Sequence, residues 1–194
     1  MKRKALFLLF YCSTLFAFSA NIYVTTNGDD ALDGTSWESS KFSIQAAIDA
    51  SSLGDTVFIA EGIYNQSIKV KDGVHLFGGY DASTGKRNCE VHSTILDGSG
   101  LEKAIINQTS TFKNITYFDG LILQNANHSS NGGAVILKSN GILNNCTISN
   151  CYTSGSGGAV YNSKGTIANC LIELCESMGA GGAVHNLGGT VENT

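Results

Sequence analysis

The chain has 194 residues, a formal net charge of −4, 23 glycines, six cysteines and no proline. The acidic balance excludes binding that depends on a basic face, so neither a nucleic-acid binder nor a basic lipid-binding patch is expected.

In chain order, the first feature is an export signal. Lys2, Arg3 and Lys4 precede an apolar run from Ala5 to Phe18, followed by small residues. This pattern predicts a secretory signal peptide over residues 1–19 and a secreted or cell-surface protein. Ala17 and Ser19 suit the −3 and −1 positions of a cut before Ala20, whereas a cut after Ala20 would put bulky Phe18 at −3. Cys12 lies within the apolar run, behind Phe10 and Tyr11, and is a poor lipoprotein cysteine. Losing the three basic residues takes the formal charge to −7. No other segment approaches the length of a membrane span.

Residues 20–194 read as one domain, with an N-terminal cap over about 20–55 and coils over about 56–194. Ile22–Thr25 is a first strand. The turn-rich loop Asn27–Gly34 follows, and its Asp29, Asp30 and Asp33 are either turn residues or calcium ligands. Ser43 caps a short helix running to about Ser52 and closed by Gly54, with Phe42, Ile44, Ala47 and Ile48 as its apolar face. Thr56–Ala60, Ser67–Lys71 and Val74–Phe77 are further strands, the last ended by Gly78 and Gly79. The loop Asp81–Glu90 holds Lys86, Arg87 and Glu90. Thr94–Leu96 ends at Asp97 and Gly98, and Tyr117–Asn125 aligns with Asn144–Asn150 if Leu121 takes the place of Cys146.

Gly-Gly-Ala-Val then occurs three times, at Gly132–Val135, Gly157–Val160 and Gly181–Val184, spaced by 25 and 24 residues. Each copy is followed by a glycine (Gly141, Gly165, Gly189) and, four residues later, an asparagine (Asn145, Asn169, Asn193). Such a period means stacked units. The apolar runs are short and alternate with polar residues, which reads as strand and turn; no amphipathic helical face and no leucine-rich spacing is present. The remaining unit is one coil of a parallel β-helix, rising roughly 4.8 Å per turn. The paired glycines then allow a tight bend or close backbone packing. Val135, Val160 and Val184 stack inside, and the three asparagines either form an amide ladder or serve as turn residues.

Five cysteines follow the signal: Cys89, Cys146, Cys151, Cys170 and Cys175. Cys146 over Cys170 is either part of a reduced packing ladder or a disulfide within reach, and Cys151 and Cys175 recur five residues after them. A C-x4-C spacing without a nearby histidine disfavours zinc. The helix would seal the open first coil. The far end reads as repeat up to Thr194, so the chain is expected to be a fragment of a longer protein, its partner there being the C-terminal remainder, or to have that end covered by another partner.

The runs Gly34–Trp37, Ile44–Ala50, Gly54–Tyr64, Val74–Tyr80 and Ser93–Gly98 resemble the start of secreted right-handed parallel β-helix proteins of the pectin-lyase-like superfamily. The Gly-Gly-Ala-Val coils resemble the repeats of polymorphic outer-membrane and adhesin-like surface proteins. The resemblance implies an all-β, right-handed parallel β-helix with a short N-terminal capping helix. It does not imply an activity, because this fold hosts lyases, hydrolases and adhesins.

Lyase chemistry needs a Lys or Arg base, often with a calcium cluster, and inverting hydrolysis needs convergent carboxylates. After the signal the chain has one arginine, Arg87; from residue 132 onward its acids are Glu173, Glu176 and Glu192. Asp97 and Asp119 each precede a glycine and read as turn residues, and His75, His92, His128 and His185 are scattered. No catalytic, cofactor-binding or metal residue is assigned. The expected role is adhesin-like binding of glycans or a host or cell surface, with Tyr152, Tyr161, Asn162 and Ser163 as surface candidates. The alternative is a polysaccharide lyase or glycoside hydrolase whose catalytic coils lie beyond this chain.

Overall fold

A computed structural model describes residues 19–194. The expected signal peptide, apart from Ser19, lies outside the described residues. Within them the chain is a right-handed parallel β-helix. A long sheet stacks seven strands: Asn21–Val24, Thr56–Ala60, His75–Tyr80, Thr116–Asp119, Gly141–Asn144, Thr166–Ala168 and Thr190–Glu192. A second sheet runs from Gly62–Tyr64 through Thr94–Asp97, Ile122–Gln124 and Thr147–Ser149 to Leu171–Glu173. A third runs from Ile68–Lys69 through Ile106–Asn107, Val135–Lys138 and Val160–Ser163 to Val184–Asn186. A short fourth joins Asn127–His128, Tyr152–Thr153 and Glu176–Ser177. No helix among the described residues is long and apolar enough to cross a membrane.

The core is a set of stacks. Ile68, Ile106, Val135, Val160 and Val184 lie in register on the third sheet, as the Gly-Gly-Ala-Val spacing predicts. Val57, Leu76, Phe118, Leu143 and Ile167 do the same on the long sheet and are fully buried. Burying each such side chain contributes about 1.5–3 kcal/mol, so every coil is held mainly by its neighbours.

The two glycines of the repeat answer different needs. Gly132, Gly157 and Gly181 have φ of +75°, +76° and +71°, a conformation that favours glycine. The second glycine is a matter of space. A Cβ on Gly133 would lie 1.9 Å from the Gly158 carbonyl oxygen, and one on Gly158 would lie 2.0 Å from that of Gly182. Asn145, Asn169 and Asn193 take the left-handed turn position at φ +51°, +54° and +49°. The strand expected to stop at Phe77 runs on to Tyr80, past a register shift opposite Phe58–Ala60.

The helix is Ile44–Ala50, with Ser43 Oγ accepting the Ala46 N–H at 3.1 Å. Ile44, Ala47 and Ile48 are buried, but Phe42, expected on the same apolar face, is 51% exposed because it precedes the first turn and points away. The cap seals two sheet edges. Along the first strand of the long sheet, Lys41 N–H donates to Tyr23 O at 2.8 Å and Tyr23 N–H to Gly34 O at 2.8 Å. Along the third sheet, the Gln45 side-chain amide stands in for a missing strand: its Oε1 accepts the Lys69 N–H at 2.8 Å and its Nε2 donates to Lys69 O at 3.4 Å. A primary amide can do this because it carries the donor and acceptor of a peptide group.

All five cysteines of the described residues are free thiols. Cys146, Cys151, Cys170 and Cys175 each donate to the carbonyl two residues back, at 3.1–3.2 Å. Burial pushes the Cys146 thiol well above its usual range.

Candidate functional site

The second sheet begins at Gly62–Tyr64, and the cap leaves that edge open. Here lies a cleft of about 740 Å³ between cap and coil. Its walls include Phe42, Ile63, Leu101, Asn65, Gln66 and Lys103. Period-two alternation sends Tyr64 into the core, at 3% exposure, and leaves Ile63 outside at 64%. Phe42 is held in place by its backbone: Asp30 Oδ1 accepts the N–H of Phe42 at 2.9 Å and of Ser43 at 2.8 Å. Slight burial pushes the Asp30 carboxyl up, but the bonds from Ser43 and Phe42 hold it below its ordinary value.

The polar groups of the cleft are half committed. Asn65 Nδ2 donates to Asp97 O and Ser99 O, and Gln66 Oε1 accepts the Ile44 N–H. Asn65 Oδ1, Gln66 Nε2 and Lys103 Nζ have no hydrogen-bond partner among the described residues. An exposed aromatic ring and an aliphatic wall thus stand beside an acceptor, a donor and a cation. Such a site can pack an apolar ring face and bond to hydroxyls or a carboxylate around its rim.

Arg87 is engaged elsewhere. Its guanidinium lies 5.2 Å from the Phe77 ring centre, on the outer face of the long sheet. Its Nε donates to Gly78 O at 2.8 Å and its Nη2 pairs with Asp119. Asp119 also accepts from Asn144 Nδ2, Asn144 Oδ1 accepts from Asn169 at 2.8 Å, and Asn169 Oδ1 accepts from Asn193 at 3.3 Å. The expected amide ladder therefore exists in altered form, with Asn144 replacing Asn145 and a carboxylate–arginine pair at its head. An arginine bonded on three sides, ring faces included, is a latch for the loop Asp81–Glu90 and is badly placed to act as a base.

The other sequence candidates are dispersed. Asp29, Asp30 and Asp33 do not converge: each carboxylate caps different groups, the Ala31 N–H, the Phe42 and Ser43 N–H, and the Thr35 N–H respectively. Asp97 closes a turn, accepting from Ser99 N–H, Gln124 and Asn125. His75 packs on Tyr117, His92 pairs with Glu61 at 3.0 Å, His128 meets Asn131 O, and His185 stacks on Tyr161 at 5.3 Å. Burial alone lowers the His75 pKa. Tyr152 is exposed, on the fourth sheet, whereas Tyr161 and Ser163 are on the third. Asn162 is not a surface residue. It is fully buried, and its side chain closes a turn against Gly165 and bonds to Asn186 Oδ1 at 3.0 Å. Its position follows a strand whose alternation points it inward, and a buried amide there satisfies turn backbone that an apolar residue could not. Sequence reasoning missed Phe42, Ile63 and Lys103 as surface features. For Ile63 the available signal was its place next to an inward Tyr64.

A family model described as a protein of unknown function (DUF1565) matches residues 26–184. No curated protein and no solved structure matches the chain.

Proposed function

Because the chain belongs to the DUF1565 family, whose function is unknown, we propose a role from its surface: an exported, adhesin-like β-helix scaffold that binds glycans. The observation that carries this reading is the open cleft at the first strand of the second sheet. A pyranose ring has apolar C–H faces and a rim of hydroxyls. Phe42 and Ile63 suit the faces; Asn65, Gln66 and Lys103 suit the rim. The coils beyond act as a rigid spacer that grows by roughly 4.8 Å per turn.

Two further observations support the surroundings of this role. The Ala20 N–H lies 2.7 Å from the carboxylate of Asp55, a residue only 6% exposed. Cleavage before Ala20 would turn that amide into an ammonium and the hydrogen bond into an ion pair, which fits export. At the other end Val191, in register with the fully buried Ile167, is 43% exposed, which suits cover by a further coil or a partner.

Calorimetric titration with neutral and uronate oligosaccharides tests the glycan reading. At least one should bind saturably, and Phe42→Ala should weaken it about tenfold, the loss of one stacked ring. Absence of binding to any glycan would sink the reading. Release of unsaturated, ultraviolet-absorbing product from uronate polymers would replace the scaffold with a lyase.

A further inference from the structure

The loop that forms one wall of the cleft has a second hollow on its other side. Thr26 and Asp30 line the cleft, while Thr25, Asn27 and Asp29 line a hollow of about 350 Å³ that the loop shares with Ala82 and Ser83. We propose that this hollow binds a neutral pyranose unit against Trp37; the proposal rests on the glycan reading above and assigns a second, chemically different subsite.

Trp37 is a fixed platform. Tyr23 packs edge-on against it at 4.7 Å and 64°, and Tyr80 meets it at 5.7 Å. Both tyrosines are anchored on the outer face of the long sheet. The facing loop brings Gly85 close to the indole nitrogen, where even a Cβ would come within 3.5 Å of Nε1. The loop beside Trp37 is equally set. The Lys41 ammonium is buried beneath it and donates to Asp30 O at 3.0 Å and to Leu32 O. The Gly28 backbone lies so close to Lys41 that a Cβ would fall 2.3 Å from its carbonyl oxygen. A rigid aromatic floor costs little ordering entropy on binding.

The rim selects the ligand. Asp29 uses Oδ1 for the Ala31 N–H at 2.9 Å and keeps Oδ2 free. Glu38 is exposed, and the Ser36 hydroxyl holds its carboxyl below the ordinary value. The Asn27 amide has no partner among the described residues. No lysine or arginine is among the lining residues. Two carboxylates accept hydroxyl donors well and repel a uronate. The cleft has both Lys103 and the hydrogen-bonded Asp30 in its wall and lacks that bias against a uronate.

Trp37 is the chain's only tryptophan, so its emission reports on this hollow alone. The experiment titrates the chain with cellohexaose, xylohexaose, mannohexaose and hexagalacturonate. At least one neutral hexasaccharide should shift the emission saturably, with hexagalacturonate about tenfold weaker or silent; Asp29→Asn with Glu38→Gln should weaken the neutral sugar by about tenfold, read from the midpoint of the emission change. The Phe42→Ala variant should keep the response. The proposal is overturned if no neutral sugar shifts the emission, if hexagalacturonate does so equally well, or if the double variant binds as tightly as the parent. Glycan binding seen by calorimetry, lost in Phe42→Ala and silent at Trp37, would remove the hollow and leave the cleft. Silence in both measurements removes both.

Discussion

The repeat coils and the head of the solenoid are built on the same three stacks but use their residues differently. In the repeats, Val135, Val160 and Val184 return every 25 or 24 residues in unbroken register. In the head, Val57 and Leu76 are 19 residues apart, and Leu76 and Phe118 are 42 apart, with the loop Asp81–Glu90 carried as an insert. The repeat coils, which carry no insert, devote their residues to glycine corners, left-handed turns and interior stacks. An insert has no stacking partner and can present side chains to a ligand. Both the cleft and the Trp37 hollow are in the head, and both are walled by inserted loop. The repeats form a regular stack, and both candidate sites are in the head.

The largest expected effect sharpens this contrast within the repeats. Gly158 and Gly182 hold the same place in consecutive copies of Gly-Gly-Ala-Val. A Cβ on Gly158 would meet the Gly182 carbonyl at 2.0 Å and the Glu176 carbonyl at 2.5 Å, whereas one on Gly182 would find nothing nearer than 3.9 Å. Gly158→Ala should cost about 3 kcal/mol or more, since backbone has to move; Gly182→Ala should stay within about 0.5 kcal/mol. Urea midpoints of the two variants decide it. Equal costs would mean that the motif is conformational and not a matter of coil-to-coil contact.

Next is the cap. Lys41→Met keeps the aliphatic stem but removes the ammonium that holds the Asp30 and Leu32 carbonyls. Leaving those groups unpaired should cost about 2 kcal/mol. Hydrogen exchange should quicken for the loop of residues 25–33, while amides of the coils from Thr116 onward stay protected. Uniform loosening along the whole solenoid would break the distinction between head and repeats, making them one cooperative unit.

The repeats were legible because each residue answers a constraint that recurs in the chain. The valine stack, the corner glycines and the cysteine stacks follow from spacing and a 4.8 Å rise alone. The helix over Ile44–Ala50 was legible on other grounds, its Ser43 cap and the apolar face of Ile44, Ala47 and Ile48. The site was not legible. Phe42 sits one residue before the correctly placed Ser43 cap, so helical periodicity does not govern it and it points outward although its apolar ring groups it with that face. Asn162 looked like a polar surface residue because of its amide, although period-two alternation from the inward Val160 points it to the interior. Pairing across 32 residues, as between Arg87 and Asp119, depends on how an insert folds back, and no period encodes it.

A smaller effect tests whether the last coil obeys the same turn rule as its predecessors. Asn125, Asn150 and Leu174 share one left-handed position, at φ +58°, +53° and +53°. Asparagine tolerates this conformation, whereas a leucine Cβ crowds the neighbouring carbonyl. Leu174 is also 74% exposed, so it has little packing to lose. Leu174→Asn should raise stability by about 1 kcal/mol, read as a higher urea midpoint. No change would mean that the open coil relaxes the strain by itself.

The smallest effect lies at the seam between head and repeats. Asp97 holds the same register position as Gln124, Ser149 and Glu173 on the second sheet. Partial burial pushes its carboxyl up, but hydrogen bonds from Ser99, Gln124 and Asn125 more than offset this and bring it to about 2 from an ordinary 3.8. A carboxyl with a depressed folded-state pKa stabilises the fold fully above its unfolded value, and that contribution is lost as pH falls through the folded one. The window is therefore pH 3.8 down to about 2. Asp97→Asn should lower neutral-pH stability by less than about 1 kcal/mol, given solvent screening of a half-exposed group, and should flatten the acid limb of the stability curve in that window. Urea midpoints at pH 5, 4, 3 and 2 make the check. An unchanged acid limb would mean that Asp97 serves the head only as a turn residue, and that the first repeat coil is joined to it by apolar stacking alone.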